Sequence, residues 1–165
     1  DEPTNMQYLM LANLQDGIIS DELPYLKGID SKYEKYCIKN GSLVISKNAS
    51  PVKMAIVSVQ EGNKILANGN LYVIELDKDK INPYFLKAYL ESESGKAALS
   101  RVAVGATLLN LPVEGLKKVI IPLPDLESQK KIADQYYAKL SEIKELKYKL
   151  EKATEELEHI YTEEK

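Results

Sequence analysis

The last forty residues of the chain, 126–165, contain neither glycine nor proline and carry apolar side chains at helical spacing. From Ile143 the steps alternate between three and four, through Leu146, Leu150, Ala153, Leu157 and Ile160, which is a heptad seam. Upstream the stripe continues less regularly through Ile132, Tyr136 and Leu140. A helix over residues 127–161 would be roughly 50 Å long at about 1.5 Å per residue, longer than a small domain is wide. Its own domain cannot cover one face of such a helix along its whole length, so the seam predicts a second helix. The alternative is an amphipathic helix folded back on its own domain. The irregular step at Tyr136–Leu140 predicts where the helix still packs at home, and the stretch beyond Ile143 is expected to belong to the pair.

With 165 residues, 44% of them hydrophobic and 28% charged, the chain fits one globular domain over residues 1–125 plus a helical tail over 126–165. Residues 1–125 hold 14 basic and 15 acidic side chains and residues 126–165 hold 8 and 10, so neither part is a nucleic-acid binder by bulk charge. Any DNA contact must come from a local patch or from a partner that brings positive charge. The one local excess runs from Lys27 to Lys53, six lysines against Asp30 and Glu34; lysine clusters of this kind are also ordinary solvated surface.

A single cysteine, Cys37, excludes an internal disulfide and a multi-cysteine zinc site and suits a reducing compartment. The lone histidine, His159, sits in the tail, away from any triad or metal site in the globular part. There is no run of about twenty apolar residues to span a membrane. The chain therefore reads as soluble and cytoplasmic. It begins at Asp1 rather than methionine, and a piece of something longer is expected.

Taken in order, residues 8–11 read as a strand, Asp16-Gly17 as a turn, and Ile18-Ile19 as a short strand. Residues 20–40 are polar and tyrosine-rich, with Pro24 and Gly28 as breakers, and predict an irregular excursion. Strands follow over 42–46, 54–59, 64–67 and 71–76, separated by turn-forming residues, which predicts a chiefly antiparallel sheet. Past Lys80 the period changes to that of a helix, with Asn82 as cap and Pro83 in the first turn, continuing after Gly95. Residues 101–110 form a glycine-containing loop, 113–118 about one helical turn, and 119–121 a last short strand closed by Pro122 and Pro124. The fold class is α+β: a small, mainly antiparallel β domain with one or two helices, then a long coiled-coil helix capped near Asp125.

Asn82-Pro83-Tyr84-Phe85 approaches the amine-binding motif of adenine and cytosine amino-methyltransferases. Those enzymes also need a glycine-rich strand-to-helix turn for S-adenosylmethionine, and the sequence has none. A capped helix N-terminus accounts for the four residues. The acid pairs Asp77/Asp79 and Glu91/Glu93 lack a histidine or a second ligand type, and no nucleophile has a recognisable base. Binding has a home in three polar loops, 46–53, 68–70 and 101–110, whose side chains suit phosphates and base edges alike. For Asn68 and Asn70, turn geometry is the favoured explanation.

Several stretches together resemble the target-recognition domain, with its following spacer helix, of type I restriction–modification specificity subunits. They are Asn70-Leu-Tyr-Val-Ile-Glu-Leu, Ile81-Asn-Pro-Tyr-Phe-Leu-Lys-Ala-Tyr-Leu-Glu-Ser, Gly105-Ala-Thr-Leu-Leu-Asn-Leu, and most specifically Val119-Ile-Ile-Pro-Leu-Pro-Asp-Leu-Glu-Ser-Gln-Lys-Lys-Ile-Ala. The C-terminal region of a fused N6-adenine methylase would look the same. The resemblance implies that the domain reads one half of a bipartite double-stranded DNA target. It also implies that the helix pairs antiparallel with a second one, and that a methyltransferase subunit carrying S-adenosylmethionine docks on the assembly and performs adenine N6 chemistry. This chain would be half of a usual specificity subunit, without cofactor or catalysis of its own. It departs from the family pattern in lacking an N-terminal element before residue 8, which implies truncation, and in having Asn48-Ala49-Ser50-Pro51 where a glycine-bearing loop is usual.

The expected DNA contacts are Lys47, Asn48, Lys53, Arg101, Thr107 and Asn110; the expected helix-pairing residues are Ile143, Leu146, Leu150, Ala153, Leu157 and Ile160. The partners are duplex DNA, a methyltransferase subunit, and a second copy or second recognition domain. The rival reading is a coiled-coil interaction module that does not touch nucleic acid.

Overall fold

A computed structural model describes residues 3–161; residues 162–165 of the expected tail lie outside the described residues. The chain runs β1 (Pro3–Leu9), β2 (Leu14–Gln15), β3 (Ile18–Ile19), β4 (Tyr25–Lys27), β5 (Leu43–Ser46), β6 (Met54–Ile56), β7 (Lys64–Ala67), β8 (Leu71–Ile74), α1 (Pro83–Glu91), α2 (Glu93–Val102), α3 (Val113–Leu116) and α4 (Leu126–Glu158). The architecture is α+β, as the strand-then-helix order predicts. The strands form three small sheets: β4-β1-β7, the hairpin β2-β3, and β6-β5-β8.

The central strand is β5, paired antiparallel to β6 and to β8. All four of its residues are buried, which is why it reads as an unbroken apolar run rather than an alternating one. Its side chains alternate between two cores. Val44 joins Leu9, Leu14, Val57, Ile65 and Leu71 on the side of β1 and β7. Leu43 and Ile45 join Met54, Leu86, Leu90, Leu99 and Leu111 on the side of the helices. The β6-β5-β8 sheet is therefore the middle layer between the first sheet and α1/α2.

Several expectations need correction. One pairing, β1 with β7, is parallel, because the chain between them returns through the middle sheet rather than through a tight turn. The first strand ends at Leu9, and Leu11–Asn13 is a 3-10 turn in which the Asn13 side chain accepts the Met10 N–H at 2.9 Å. The excursion over 20–40 contains β4 and a 3-10 segment, Ser31–Tyr36. The expected single helix after Asn82 is two, broken at Ser92, whose hydroxyl donates to the Tyr89 carbonyl and accepts the Gly95 N–H. Gly95 lies under that break, where a Cβ would fall 2.0 Å from the Tyr89 carbonyl oxygen. Residues 119–121 alternate inward and outward, with Ile120 84% exposed, but pair with no strand. The alternation here records packing of Val119 and Ile121 on the helix-side core.

Helix α4 starts at Asp125, whose carboxylate accepts the Ser128 N–H at 2.8 Å. Gln129, 1% exposed, fixes its direction: its Oε1 accepts the Asn82 N–H at 2.8 Å and its Nε2 donates to the carbonyls of Lys80 and Pro124 at 3.1 and 2.8 Å. One amide thus joins the cap of α1, the turn before it and the proline linker. Farther along, Tyr137 meets Tyr84 edge-on at 5.0 Å. Lys87 is 0% exposed and donates to Glu91 at 2.7 Å and to the Tyr136 hydroxyl, which in turn donates to the other Glu91 oxygen. Burial first, and the Glu91 carboxylate second, push the Tyr136 phenol well above its ordinary value, so it remains a donor. Gly17 closes the β2-β3 hairpin at φ +73° against this cluster, with a Cβ position 2.6 Å from Lys87 Nζ. Ion pairs Lys147–Asp16 at 3.1 Å and Lys144–Asp21 at 2.8 Å join α4 farther out to the hairpin turn and to the residues just after the hairpin.

Among the described residues no helix is long and apolar enough to cross a membrane.

Candidate nucleic-acid interface

The three polar loops meet at one end of the middle sheet. The Lys47 N–H donates to the Asn70 carbonyl at 3.0 Å, the Ala49 N–H to Leu109 at 3.2 Å, and the Leu111 N–H to Lys47 at 2.8 Å. Asn48 pairs with Asn110, and Asn110 with Val104, in single antiparallel bridges. Beneath them the Tyr72 hydroxyl donates to the Leu111 carbonyl at 2.6 Å, and the Lys47 ammonium lies 4.8 Å from the centre of the Tyr72 ring. Ser46, 1% exposed, accepts the Lys53 N–H on its hydroxyl and holds the ends of the first loop together. Backbone hydrogen bonds to a buried strand give these loops a fixed shape, which a reading surface needs.

The structure brings Asn48 and Asn110 into direct register, with Lys47 beside them bonded through its backbone to Leu111 and Asn70. Lys53 stands at the opposite end of the same loop, half-buried beside β6. Thr107 is exposed at the tip of the third loop, and Arg101 is exposed on the last turn of α2, just before that loop begins. The loops carry Lys47, Lys53 and Arg101 but no Asp or Glu. None of the three cations is in an ion pair among the described residues. The surface thus offers free positive charge without a carboxylate to repel phosphate.

Asn68 has the turn role favoured for it: its side chain accepts the Asn70 N–H and donates to Tyr8. The six lysines from Lys27 to Lys53 do not form one patch. Gly41, between Lys39 and β5, sits at the opposite end of β5 from Lys47, and Lys32 and Lys39 are paired with Asp30 and Glu75. Asn82 caps α1 by accepting the Tyr84 and Phe85 N–H groups, so those four residues form a helix start. Sequence reasoning passed over Val104 and Leu108, 62% and 56% exposed beside Gly105. Two unburied apolar residues flanking a loop glycine were the available signal.

A second feature is the outer half of α4. Leu146, Leu150 and Leu157 are between 56% and 69% exposed and Ile143 is 41% exposed; the helix ends at Glu158, capped by His159, so Ile160, expected in the seam, lies beyond it. At about 100° per residue, the domain-facing positions Gln129, Ala133, Tyr136, Leu140, Lys144 and Lys147 fall on one stripe, while Ile132, Ile143, Leu146, Leu150 and Leu157 fall roughly a quarter-turn away. The stripe read from the sequence is therefore two faces: Tyr136 and Leu140 turn to the domain, and Ile132 stays with the seam. The helix can hold its own domain and a partner at once.

The site thus consists of loops fixed on the end of a small sheet, in a domain from which one helix is carried outward. The model of the type I restriction modification DNA specificity domain matches residues 5–156, and the chain belongs to this family. No curated protein matches it. A solved chain from work on complex assembly and conformational transition of the type I R-M system superposes with a TM-score of 0.65 at 18% identity. The match covers 92% of this chain and 40% of that one, and at this identity the likeness is one of fold.

Proposed function

We propose that this chain is the DNA sequence-recognition module of a restriction–modification complex, with the three-loop surface as its reading face. The observation that carries this reading is the convergence of three carboxylate-free loops, bearing Lys47, Lys53 and Arg101, in a member of a DNA specificity family. The cations supply affinity through phosphates, while Asn48, Thr107 and Asn110 supply choice among bases. Adenine N6 methylation belongs to a methyltransferase subunit with bound S-adenosylmethionine, and this chain contributes the address rather than the chemistry.

The seam on α4 pairs with the helix of a second copy or of a second recognition domain, setting the distance between two reading faces. Charge supports antiparallel pairing. Residues 139–152 carry five lysines against three glutamates, whereas 153–158 carry three glutamates and no base. Antiparallel overlap brings opposite signs together; parallel overlap sets Glu155, Glu156 and Glu158 against their own copies. A two-fold pair would read an inverted repeat.

Selection from random duplexes by the full chain, with and without a cognate methyltransferase subunit, tests the reading. Enrichment of a short motif is expected. No enrichment in either arm would instead favour an interaction module whose helix docks protein alone, a reading to which the exposed seam also lends itself.

A further inference from the structure

Of the nine asparagines in the chain, six use their side chains internally: Asn5, Asn13, Asn40, Asn63, Asn68 and Asn82. The three whose amides hold no partner among the described residues, Asn48, Asn70 and Asn110, all belong to the three-loop surface. Turn geometry does not account for this, because the asparagines used for turns and caps show their hydrogen bonds.

One of the three, Asn110, is in register both with a second, Asn48, and with an exposed valine. Asn110 pairs with Asn48 on one side and Val104 on the other. The Val104 N–H donates to the Asn110 carbonyl at 2.8 Å, and the Asn110 N–H returns to Val104 at 2.9 Å. Residues directly opposite in antiparallel pairing project to the same face, about 5 Å apart. Val104, Asn110 and Asn48 therefore form a row of one isopropyl group and two free carboxamides, all exposed. Lys47, next along the chain, turns away onto the Tyr72 ring, so the row itself is uncharged. An uncharged row of this kind suits base edges rather than phosphates.

The chemistry of the row selects a base pair. A carboxamide donates and accepts at once, matching N6–H and N7 of adenine in the major groove, and an apolar side chain matches the thymine 5-methyl group. An A·T pair presents these features side by side. The geometry points to Val104, Asn110 and Asn48 as an A·T-reading row in the major groove, with an asparagine amide on adenine N6/N7 and Val104 against the thymine methyl. This assignment rests on the DNA-recognition reading and adds to it which residues read which base pair.

Base analogues test it on the motif selected by the full chain with its methyltransferase subunit. Each adenine in turn is replaced by 7-deazaadenine, which lacks the N7 acceptor, and each thymine by uracil, which lacks the methyl group. Affinity is read by fluorescence anisotropy. At one A·T pair or two neighbouring ones, each replacement should weaken binding by about tenfold. Val104→Ala should bind the parent duplex less tightly and lose its sensitivity to uracil. Asn110→Ala or Asn48→Ala should lose the sensitivity to 7-deazaadenine, with unchanged thermal unfolding. Sensitivity to uracil retained in Val104→Ala, or no A·T pair sensitive to either analogue, overturns the assignment. If a motif is enriched and removal of Lys47, Lys53 and Arg101 flattens the salt dependence while the analogues have no effect, the row alone fails. If no motif is enriched, the recognition reading falls with it.

Discussion

Along its first five turns α4 buries Gln129 and Ala133 and meets Tyr84, Lys87 and Glu91 through Tyr136 and Tyr137; along its last four, Leu150 and Leu157 are at least two-thirds exposed. Both stretches are free of glycine and proline and amphipathic. What separates them is how specific the contacts are. The inner half is held by groups that fit in one arrangement only: three hydrogen bonds from a single buried amide, and a buried ammonium shared between a carboxylate and a phenol. The outer half has intrahelical ion pairs such as Lys149–Glu145 and Lys152–Glu155, each worth a few tenths of a kcal/mol, about 0.3–0.5. Within this chain, helix propensity and these pairs keep it in order. One helix is thus an immovable part of its domain at one end and carries an exposed apolar seam at the other.

The largest break in this comparison should come from Lys87→Ala. It leaves the Glu91 carboxylate and the Tyr136 phenol without their shared partner and opens a cavity beneath Gly17, for a loss of about 3 kcal/mol or more in urea unfolding. A loss below about 1 kcal/mol would mean that the cluster does not hold the helix. Gln129→Leu should follow. It strands the Asn82 N–H and the Lys80 and Pro124 carbonyls, costing about 2–3 kcal/mol, and hydrogen exchange at the start of α1 should rise with it.

Leu150→Asp probes the other half. Unfolding of the globular part should stay within about 0.5 kcal/mol of the parent, while sedimentation should shift from dimer to monomer. If both proteins run as monomers, self-pairing is excluded and the seam belongs to a different chain. The smallest effect is expected at Asp125, where the Ser128 backbone N–H, then its hydroxyl, lower the carboxyl below its ordinary value. A depressed carboxylate contributes its stabilisation fully above the unfolded value near 3.8 and loses it as the pH falls through the lower folded value. The first turn of α4 should therefore fray only in that acid range. Asp125→Asn, which keeps an N-cap acceptor, should remove this pH dependence.

Much of this arrangement is legible in the sequence, for reasons that differ by region. The start of α4 follows from an uninterrupted stretch behind two prolines and an aspartate cap, though it ends at Glu158 rather than near residue 161, and β5 follows from an apolar run too short to be a helix. Local chemistry settles both. The parallel pairing of β1 with β7 and the missing ladder at residues 119–121 depend on partners far away in the chain, which periodicity does not report. The turn at Ser92 was hidden because helical spacing continues across it, and only the close approach at Gly95 marks the break. At the candidate site, residues 46–53, 68–70 and 101–110 were legible as polar loops. Their meeting was not, because it is made by backbone bonds such as Leu111 to Lys47, to which side-chain identity contributes nothing. For the same reason Val104 looked like an ordinary loop residue until its pairing with Asn110 placed it beside two free amides.

The reading face itself is tested most directly by the salt dependence of affinity for the selected duplex, measured for the full chain and for the Lys47→Ala/Lys53→Ala/Arg101→Ala variant. Each cation on a phosphate adds about 0.9 to the slope of log affinity against log salt, so the variant should bind more weakly with a slope flatter by roughly two to three. A variant with the parent's slope and affinity would contradict the account and place the DNA on another surface.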